Sequence, residues 1–547
     1  NGGIFILGDY SSINSNSAID INSGGEMRIK QSISNDITIS GNGTGDLSNS
    51  GALINTGGSL TFSGLITVDG GATVSARSGA LTFSPGSGDA FTGTGDLTFD
   101  ANNNITSNSS IAGVTNVIKT DGGTLNLFGA STFTGNLRVS GGTVNIQTSI
   151  PTSSQVVFFH ESGETPAVNF NQDADITIAG IDGDLSSNSV TPSTNFGGGG
   201  SDRDYTLSVS SGITLSTNSN INGPSYNQGQ LIKTGAGSQT ISGTIAGFGS
   251  SSAKGITVQN GTLSLTSTGN TFDGGVLLSG GTLSIAGDRS LGSVPGSVDP
   301  DNIQFNGGTL QVTANTTFAS NRGVTMTGNG TFNIDASRSA TISNVITGSG
   351  NLTKSGDGDL VLNASSSHTH SGSISVTDGL MVINDTISSS GVSISSGGSF
   401  RINAGGNVGD NFTASVASGG TLTVNRSETI GSLSGAGSVV IIEKEVLTVG
   451  QNNSSTSFTG TISSSGGQTG ALTKVGTGTL TLGGSNTFMG AVNVNAGTLA
   501  VSSNNALGDT TNRTNIASGA TLDFQGVNYT STEAVSYTHL RAHETSL

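Results

Sequence analysis

The chain repeats itself, and this limits its folding options more than any other feature. Aligning Lys119–Ile146 with Lys474–Val501 needs no gap and gives 12 identities in 28 positions. The shared frame is a lysine, then Gly-Thr-Leu-x-Leu, then Thr-Phe-x-Gly, then Gly-Thr. The first copy reads Gly123-Thr124-Leu125-Asn126-Leu127, Thr132-Phe133-Thr134-Gly135 and Gly142-Thr143-Val144. The second reads Gly478-Thr479-Leu480-Thr481-Leu482, Thr487-Phe488-Met489-Gly490 and Gly497-Thr498-Leu499. Two looser copies follow Lys233 and Lys354. These four lysines stand 114, 121 and 120 residues apart and are four of only seven in the chain. They mark a repeat position and receive no catalytic role. Self-similarity of this kind belongs to solenoids, propellers and arrays.

Each unit reads as strand, glycine turn, strand. Further Phe-x-Gly units at Phe62, Phe91, Phe272 and Phe458 each precede a short alternating run such as Gly274-Gly275-Val276-Leu277-Leu278, so the Phe is predicted to anchor inward before a turn. Gly, Ser, Thr and Asn make up 294 of 547 residues while only 10% are charged. That alphabet weakens helices throughout. Alternating Val, Ile, Leu and Thr argue equally against disorder. A string of sandwich domains would need linkers, yet Pro totals 7 and the same pattern runs from the first fifty residues to the last. An all-β solenoid of parallel strands fits that uniformity, since each coil hydrogen-bonds to the next and glycines supply left-handed corners. At roughly 22 residues a coil and about 4.8 Å between coils, residues 1–534 would build a rod on the order of 115 Å long.

Charge and motifs exclude several functions. A net charge of −17 with 18 scattered Lys and Arg argues against a nucleic-acid partner. Having no Cys, the chain has neither disulfides nor thiolate metal sites. No run approaches a membrane span and no signal peptide opens the sequence. Opening on Asn1, the chain reads as beginning inside a longer protein. Near the other end, Val535-Ser536-Tyr537-Thr538-His539-Leu540-Arg541-Ala542-His543-Glu544-Thr545 gathers two of five histidines and resembles a translated transposase sequencing adapter. Residues 535–547 are therefore read as a non-native tail.

The repeat is similar to the passenger-associated, or autotransporter-associated, β-strand repeat of bacterial secreted and surface proteins. The resemblance rests on Asn321-Arg322-Gly323-Val324 through Gly348-Ser349-Gly350-Asn351-Leu352-Thr353-Lys354-Ser355-Gly356-Asp357-Gly358-Asp359-Leu360-Val361-Leu362. Segments 429–442 and 470–508 resemble it again, the latter ending in Ala506-Leu507-Gly508. The clearest repeats are 118–147, 231–293, 321–383 and 429–508. The resemblance implies a right-handed parallel β-helix (β-solenoid), exported to the surface or medium of a bacterium with an outer membrane. It also implies an outer-membrane translocation barrel as a partner, encoded beyond the C-terminal end of this chain.

Candidate sites each have a plainer structural account. His368-Thr369-His370 could offer two imidazoles to a metal, but Thr369-His370-Ser371-Gly372 fills the Thr-Phe-x-Gly slot, so His370 reads as a replacement for the anchoring Phe. His160-Glu161 lacks the second histidine of a zinc-protease motif, since Glu164 stands in its place. No Gly-x-Ser-x-Gly and no Gly-Lys pair occur, which removes serine-hydrolase and phosphate-loop signatures. Gly356-Asp357-Gly358-Asp359-Leu360 resembles half a calcium nonapeptide, yet similar fragments lie tens of residues away, so turns are the expected role. No cofactor and no metal site follow.

The best enzymatic candidate is the stretch 157–204, which departs most from the repeat and holds His160, Asp173, Asp175, Asp182, Asp184, Arg203 and Asp204. Carboxylates on one outer face of a β-helix could do acid and base work on a polysaccharide, and Asp173 and Asp175 would share a face. Asp is also a turn residue, and with no Trp the chain lacks an indole platform for sugars. Outward Thr-x-Thr pairs such as Thr479 and Thr481 could form a ladder for ice or glycans, although the repeat spacing shows no flat array. Thr194-Asn195-Phe196-Gly197-Gly198-Gly199-Gly200 reads as an outer-face loop. The expected function is a structural, adhesin-like passenger rod meeting host or environmental surfaces or glycans, and not an enzyme. The alternatives are a polysaccharide lyase or glycoside hydrolase on the same scaffold, and an export stalk for a further domain.

Overall fold

Alternation along each short strand sends Leu, Val, Ile and Phe inward and Thr, Ser and Asn outward, and burial follows that pattern strand after strand. Thr124–Leu127, Thr262–Leu265 and Thr479–Leu482 all place two apolar residues in the core and two polar ones at half-exposed positions. The computed structural model describes residues 3–9, 13–14, 17–44, 50–159, 164–172, 174–183, 192–197, 203–224, 229–250, 253–465, 467, 469–530, 532 and 534–537. Named strands pair in parallel throughout, and the described residues contain no α-helix. The fold is a parallel β-solenoid.

The chain divides into two compact units, Asn1–Val276 with Arg289–Ser293, and Leu277–Asp288 with Val294–Leu547. In the first, one sheet runs from Ile4–Leu7 to Gly180–Asp182, and another stacks Leu60–Phe62, Leu81–Phe83, Ile105–Ser107, Thr124–Leu127, Thr143–Ile146, Ala167–Phe170, Ser193–Phe196, Asn220–Asn222 and Ile245–Ala246. In the second, parallel ladders carry Thr309–Val312 through Gly330–Ile334 and Leu352–Ser355 to Ile374–Val376 and beyond. The strand Ala534–Tyr537, which includes three residues of the suspected tail, pairs with Arg513–Ile516.

Inside each unit the core combines columns of register partners, such as Phe62 with Phe83 and Phe170 with Phe196, with rings that meet between different ladders. Phe62, Phe83, Phe91 and Phe99 follow one another with ring centroids 5.9, 4.6 and 5.4 Å apart. Phe170 stacks on Phe196 at 5.3 Å, and Phe196 meets Tyr205 at 4.7 Å. The Phe-x-Gly anchors Phe62, Phe91, Phe133, Phe272, Phe458 and Phe488 are all buried. One expectation is corrected here: Ser193–Phe196 is a strand and not a loop, with Thr194 and Phe196 buried. Its alternation lets Phe196 continue the aromatic column, while Gly198, Gly199 and Gly200 lie outside the described residues.

The repeat lysines lie inside. Lys119, Lys233, Lys354 and Lys474 are fully buried, each in a core column between an apolar residue on one coil and a valine on the next: Phe99 and Val139, Leu207 and Val258, Phe332 and Val376, Val449 and Val494. Such burial needs every ammonium proton satisfied. Lys354 donates to the carbonyls of Ser355, Gly356 and Asp378 at 3.0, 2.7 and 3.1 Å. Lys233 uses Thr234, Gly235 and Asn260 at 2.7, 2.8 and 3.2 Å, and Lys474 uses Val475, Gly476 and Ala496 at 2.6, 2.9 and 3.2 Å. Burial pushes Lys233 and Lys354 down to about 8, which leaves both charged at neutral pH.

Two positions after each lysine shape this cage, both glycine after Lys233, Lys354 and Lys474 but Asp121 and Gly123 after Lys119. The residue two places on is left-handed in every copy, with φ of 61° at Asp121, 71° at Gly235, 74° at Gly356 and 67° at Gly476, and that turn aims its carbonyl back at the ammonium. Four places on, a Cβ at Gly358 would sit 2.3 Å from the carbonyl oxygen of Asp335 on the preceding coil. The first position favours glycine by conformation, the second by contact.

Candidate functional site

Only part of the acidic stretch falls among the described residues. Of its members, His160, Asp173 and Asp184 lie outside the described residues. Asp175 precedes the strand Ile176–Ile178, and its Oδ1 accepts the backbone N–H of Asp204 at 3.0 Å. Asp182 ends the strand Gly180–Asp182 and accepts the N–H of Ser216 at 3.4 Å. Both carboxylates therefore tie one coil to a later one, as Asp36 does with Leu65 at 2.7 Å and Asp96 with Asn116 at 3.2 Å. Arg203 and Asp204 are half-buried at the start of the strand Asp204–Ser208. A hollow of about 350 Å³ opens between Thr148–Thr152 and Gln172–Thr177, and Asp175 is the one carboxylate in its described lining.

His368 and His370 are both buried. Ile346 donates its N–H to His368 Nδ1 at 2.8 Å, which places the ring proton on Nε2, 2.9 Å from Asp385 Oδ2. His370 Nε2 donates to the Gly350 carbonyl at 2.6 Å, and Nδ1 faces Ser389 Oγ at 2.9 Å. Burial holds the His370 imidazole below its ordinary range. With all four ring nitrogens engaged in bonds between coils, the pair acts as core polar anchors. Among the described residues no group of three or more His, Cys, Asp or Glu side chains could hold a metal ion.

One charged cluster escaped the sequence reading. Arg77 forms ion pairs with Asp100 and, at 2.6 Å, with Asp121. Burial and the hydrogen bond it donates to the neighbouring Asp121 raise Asp100 to about 6. Burial opposes ionisation of Asp121 as well, but its bonds to Asp100 and Arg77 hold it below the usual carboxylate range. The 21-residue separation of the two carboxylates, close to one coil, was the available signal. The arrangement joins three successive coils through one guanidinium.

The outer face of the second sheet in the first unit carries a different kind of order. Register places Thr61, Thr82, Thr106, Asn126, Asn145, Asn169, Asn195 and Asn222 in one outward column. Each asparagine donates Nδ2–H to the rung before it: Asn145 to Asn126 at 2.8 Å, Asn169 to Asn145 at 2.8 Å, Asn195 to Asn169 at 2.6 Å and Asn222 to Asn195 at 2.7 Å. Asn126 closes the series on Thr106 Oγ1 at 3.3 Å. Two residues beyond Asn126 on the same face, the Phe128 side chain is 47% exposed.

The repeat occurs in known proteins. The passenger-associated transport repeat family matches residues 117–146, 231–265, 259–285, 352–383 and 472–501, and four of these segments contain the caged lysines. Over 181 residues the chain is 34% identical to the adhesin BmaC autotransporter of Brucella suis biovar 1 (strain 1330). That stretch covers 32% of this chain and 5% of the adhesin. No solved structure matches. Five matches to the passenger-associated transport repeat on a parallel β-solenoid, together with similarity to an autotransporter adhesin, mark the chain as part of a secreted or cell-surface protein of a bacterium with an outer membrane.

Proposed function

We propose that this segment serves as a structural, adhesin-like passenger: a stack of coils that carries binding surfaces away from the cell and does no bond-breaking chemistry itself. The observation that carries this reading is the use made of the polar side chains. Asp175 and Asp182 accept backbone N–H groups of other coils, Arg77 links two carboxylates, and the repeat lysines are sealed within the core. The strands of the sheet from Leu60–Phe62 to Ile245–Ala246 carry no charged side chain, and their outward positions are mainly Thr, Ser and Asn. An outer-membrane translocation barrel would be its export partner, and host or environmental surfaces and glycans its targets.

Expression of residues 1–534 fused to a surface-display barrel tests this. Displaying cells are expected to adhere to epithelial monolayers or polysaccharide-coated surfaces above barrel-only cells, and purified protein is expected to release no reducing or unsaturated sugar ends. Depolymerase activity that disappears in Asp175→Asn would replace this reading with the enzymatic one.

A further inference from the structure

We propose that the asparagine column and Phe128 form a binding face for a linear, uncharged polysaccharide lying along the column. This rests on the adhesin reading and assigns it a surface and a ligand class. Asn126, Asn145 and Asn169 each donate one N–H to the rung before and accept one from the rung after. An amide has two N–H groups and two acceptor lone pairs, so each of these three keeps one donor and one acceptor for a ligand. Two adjacent hydroxyls of a sugar ring present the complementary pair. Because the ladder already fixes each amide, little side-chain entropy remains to be lost on binding.

Spacing and charge narrow the ligand. Parallel strands lie about 4.8 Å apart, close to the length of one pyranose in an extended chain, so the five asparagines offer a matching rung to successive sugars over about 19 Å. Phe128 stands beside this row, with Gln147 and Asn171 following it through successive coil-to-coil backbone bonds. Its ring supplies the apolar plane that the C–H face of a sugar needs. The hollow of about 350 Å³, with Asp175 in its lining, begins one residue past Gln147 and Asn171, at Thr148 and Gln172. No strand of this sheet contains an ionisable residue, in a chain of net charge −17. A neutral chain fits such a face, whereas a polyanion meets repulsion from the protein and no cation on the strip.

Affinity electrophoresis of purified protein through gels containing hydroxyethylcellulose, galactomannan or xylan tests the proposal, with polygalacturonate as the anionic control. At least one neutral polymer is expected to retard the protein and polygalacturonate is not. Phe128→Ser, which removes no ladder hydrogen bond, is expected to weaken retardation about tenfold. The double variant Asn145→Thr/Asn169→Thr is expected to abolish it at an unchanged circular-dichroism spectrum. Asn403→Thr, which breaks the asparagine pair with Asn384 in the other unit, should bind as the parent does. Retardation that is absent in all neutral gels, or is unchanged in Phe128→Ser and in the double variant, overturns the assignment. If displaying cells still adhere in that case, the adhesin reading stands without this surface; if they adhere to nothing, that reading falls too.

Discussion

At Glu428 a carboxyl has been taken out of water with incomplete compensation. It begins the strand Glu428–Ile430 and is buried, with the Arg426 guanidinium 3.3 Å away. Burial raises it to about 7 from 4.5, against the opposing pull of Arg426. The folded protein therefore holds this proton more tightly than the unfolded chain does. The resulting stability is complete below about pH 4.5 and is lost as pH rises through about 7. Glu428→Gln removes the titration while keeping the shape, so the variant should gain on the parent between pH 4 and pH 8. After allowance for solvent screening the gain is about 1–2 kcal/mol. Urea unfolding of both proteins at the two pH values measures it, and a gap that does not move with pH would show that Glu428 is not the titrating group.

The element that recurs is Lys-x-Gly-x-Gly between two short strands, with Asp121 in place of the first glycine after Lys119, and its parts were unequally legible in sequence. The lysines announced a repeat by their spacing, and the alternating strands announced a solenoid. What the lysine does was hidden, because one carbonyl in the cage of Lys233, Lys354 or Lys474 belongs to the next coil, at Asn260, Asp378 or Ala496. The asparagine column was hidden for a related reason. Its rungs are 19, 24, 26 and 27 residues apart, since the turns between strands vary in length while strand pairing holds the register. A search at fixed spacing finds repeats and misses columns. The element also makes a testable demand on its second glycine. Gly358→Ala would set a Cβ 2.3 Å from the Asp335 carbonyl oxygen and should cost roughly 2 kcal/mol or more through backbone displacement. Gly296→Ala, with open space around the added carbon, should stay within about 0.5 kcal/mol. Equal urea midpoints for the two variants would contradict this account of the contact.

Across the whole molecule, the consequence of coil-on-coil pairing is that stability is local. Thr143–Ile146 is hydrogen-bonded to Thr124–Leu127 on one side and to Ala167–Phe170 on the other, and in the second unit Gly398–Ile402 is bonded to Gly379–Ile383 and Thr421–Val424. In such a chain the free energy is a sum of coil terms and nearest-neighbour terms, with no single core whose loss melts everything. Val144 is fully buried in the first unit, and Val144→Asp would place a carboxylate where nothing pairs with it. Hydrogen exchange read by mass spectrometry is expected to show protection lost in peptides spanning 124–170 and retained in those spanning 379–424. A globular domain would respond differently, since cooperative unfolding lowers protection everywhere by the same free energy. Uniform loss in the variant would mean that the coils are coupled over far longer distances than their hydrogen bonds provide. Retention would explain how one outer face can be altered for a new ligand while distant coils keep their structure.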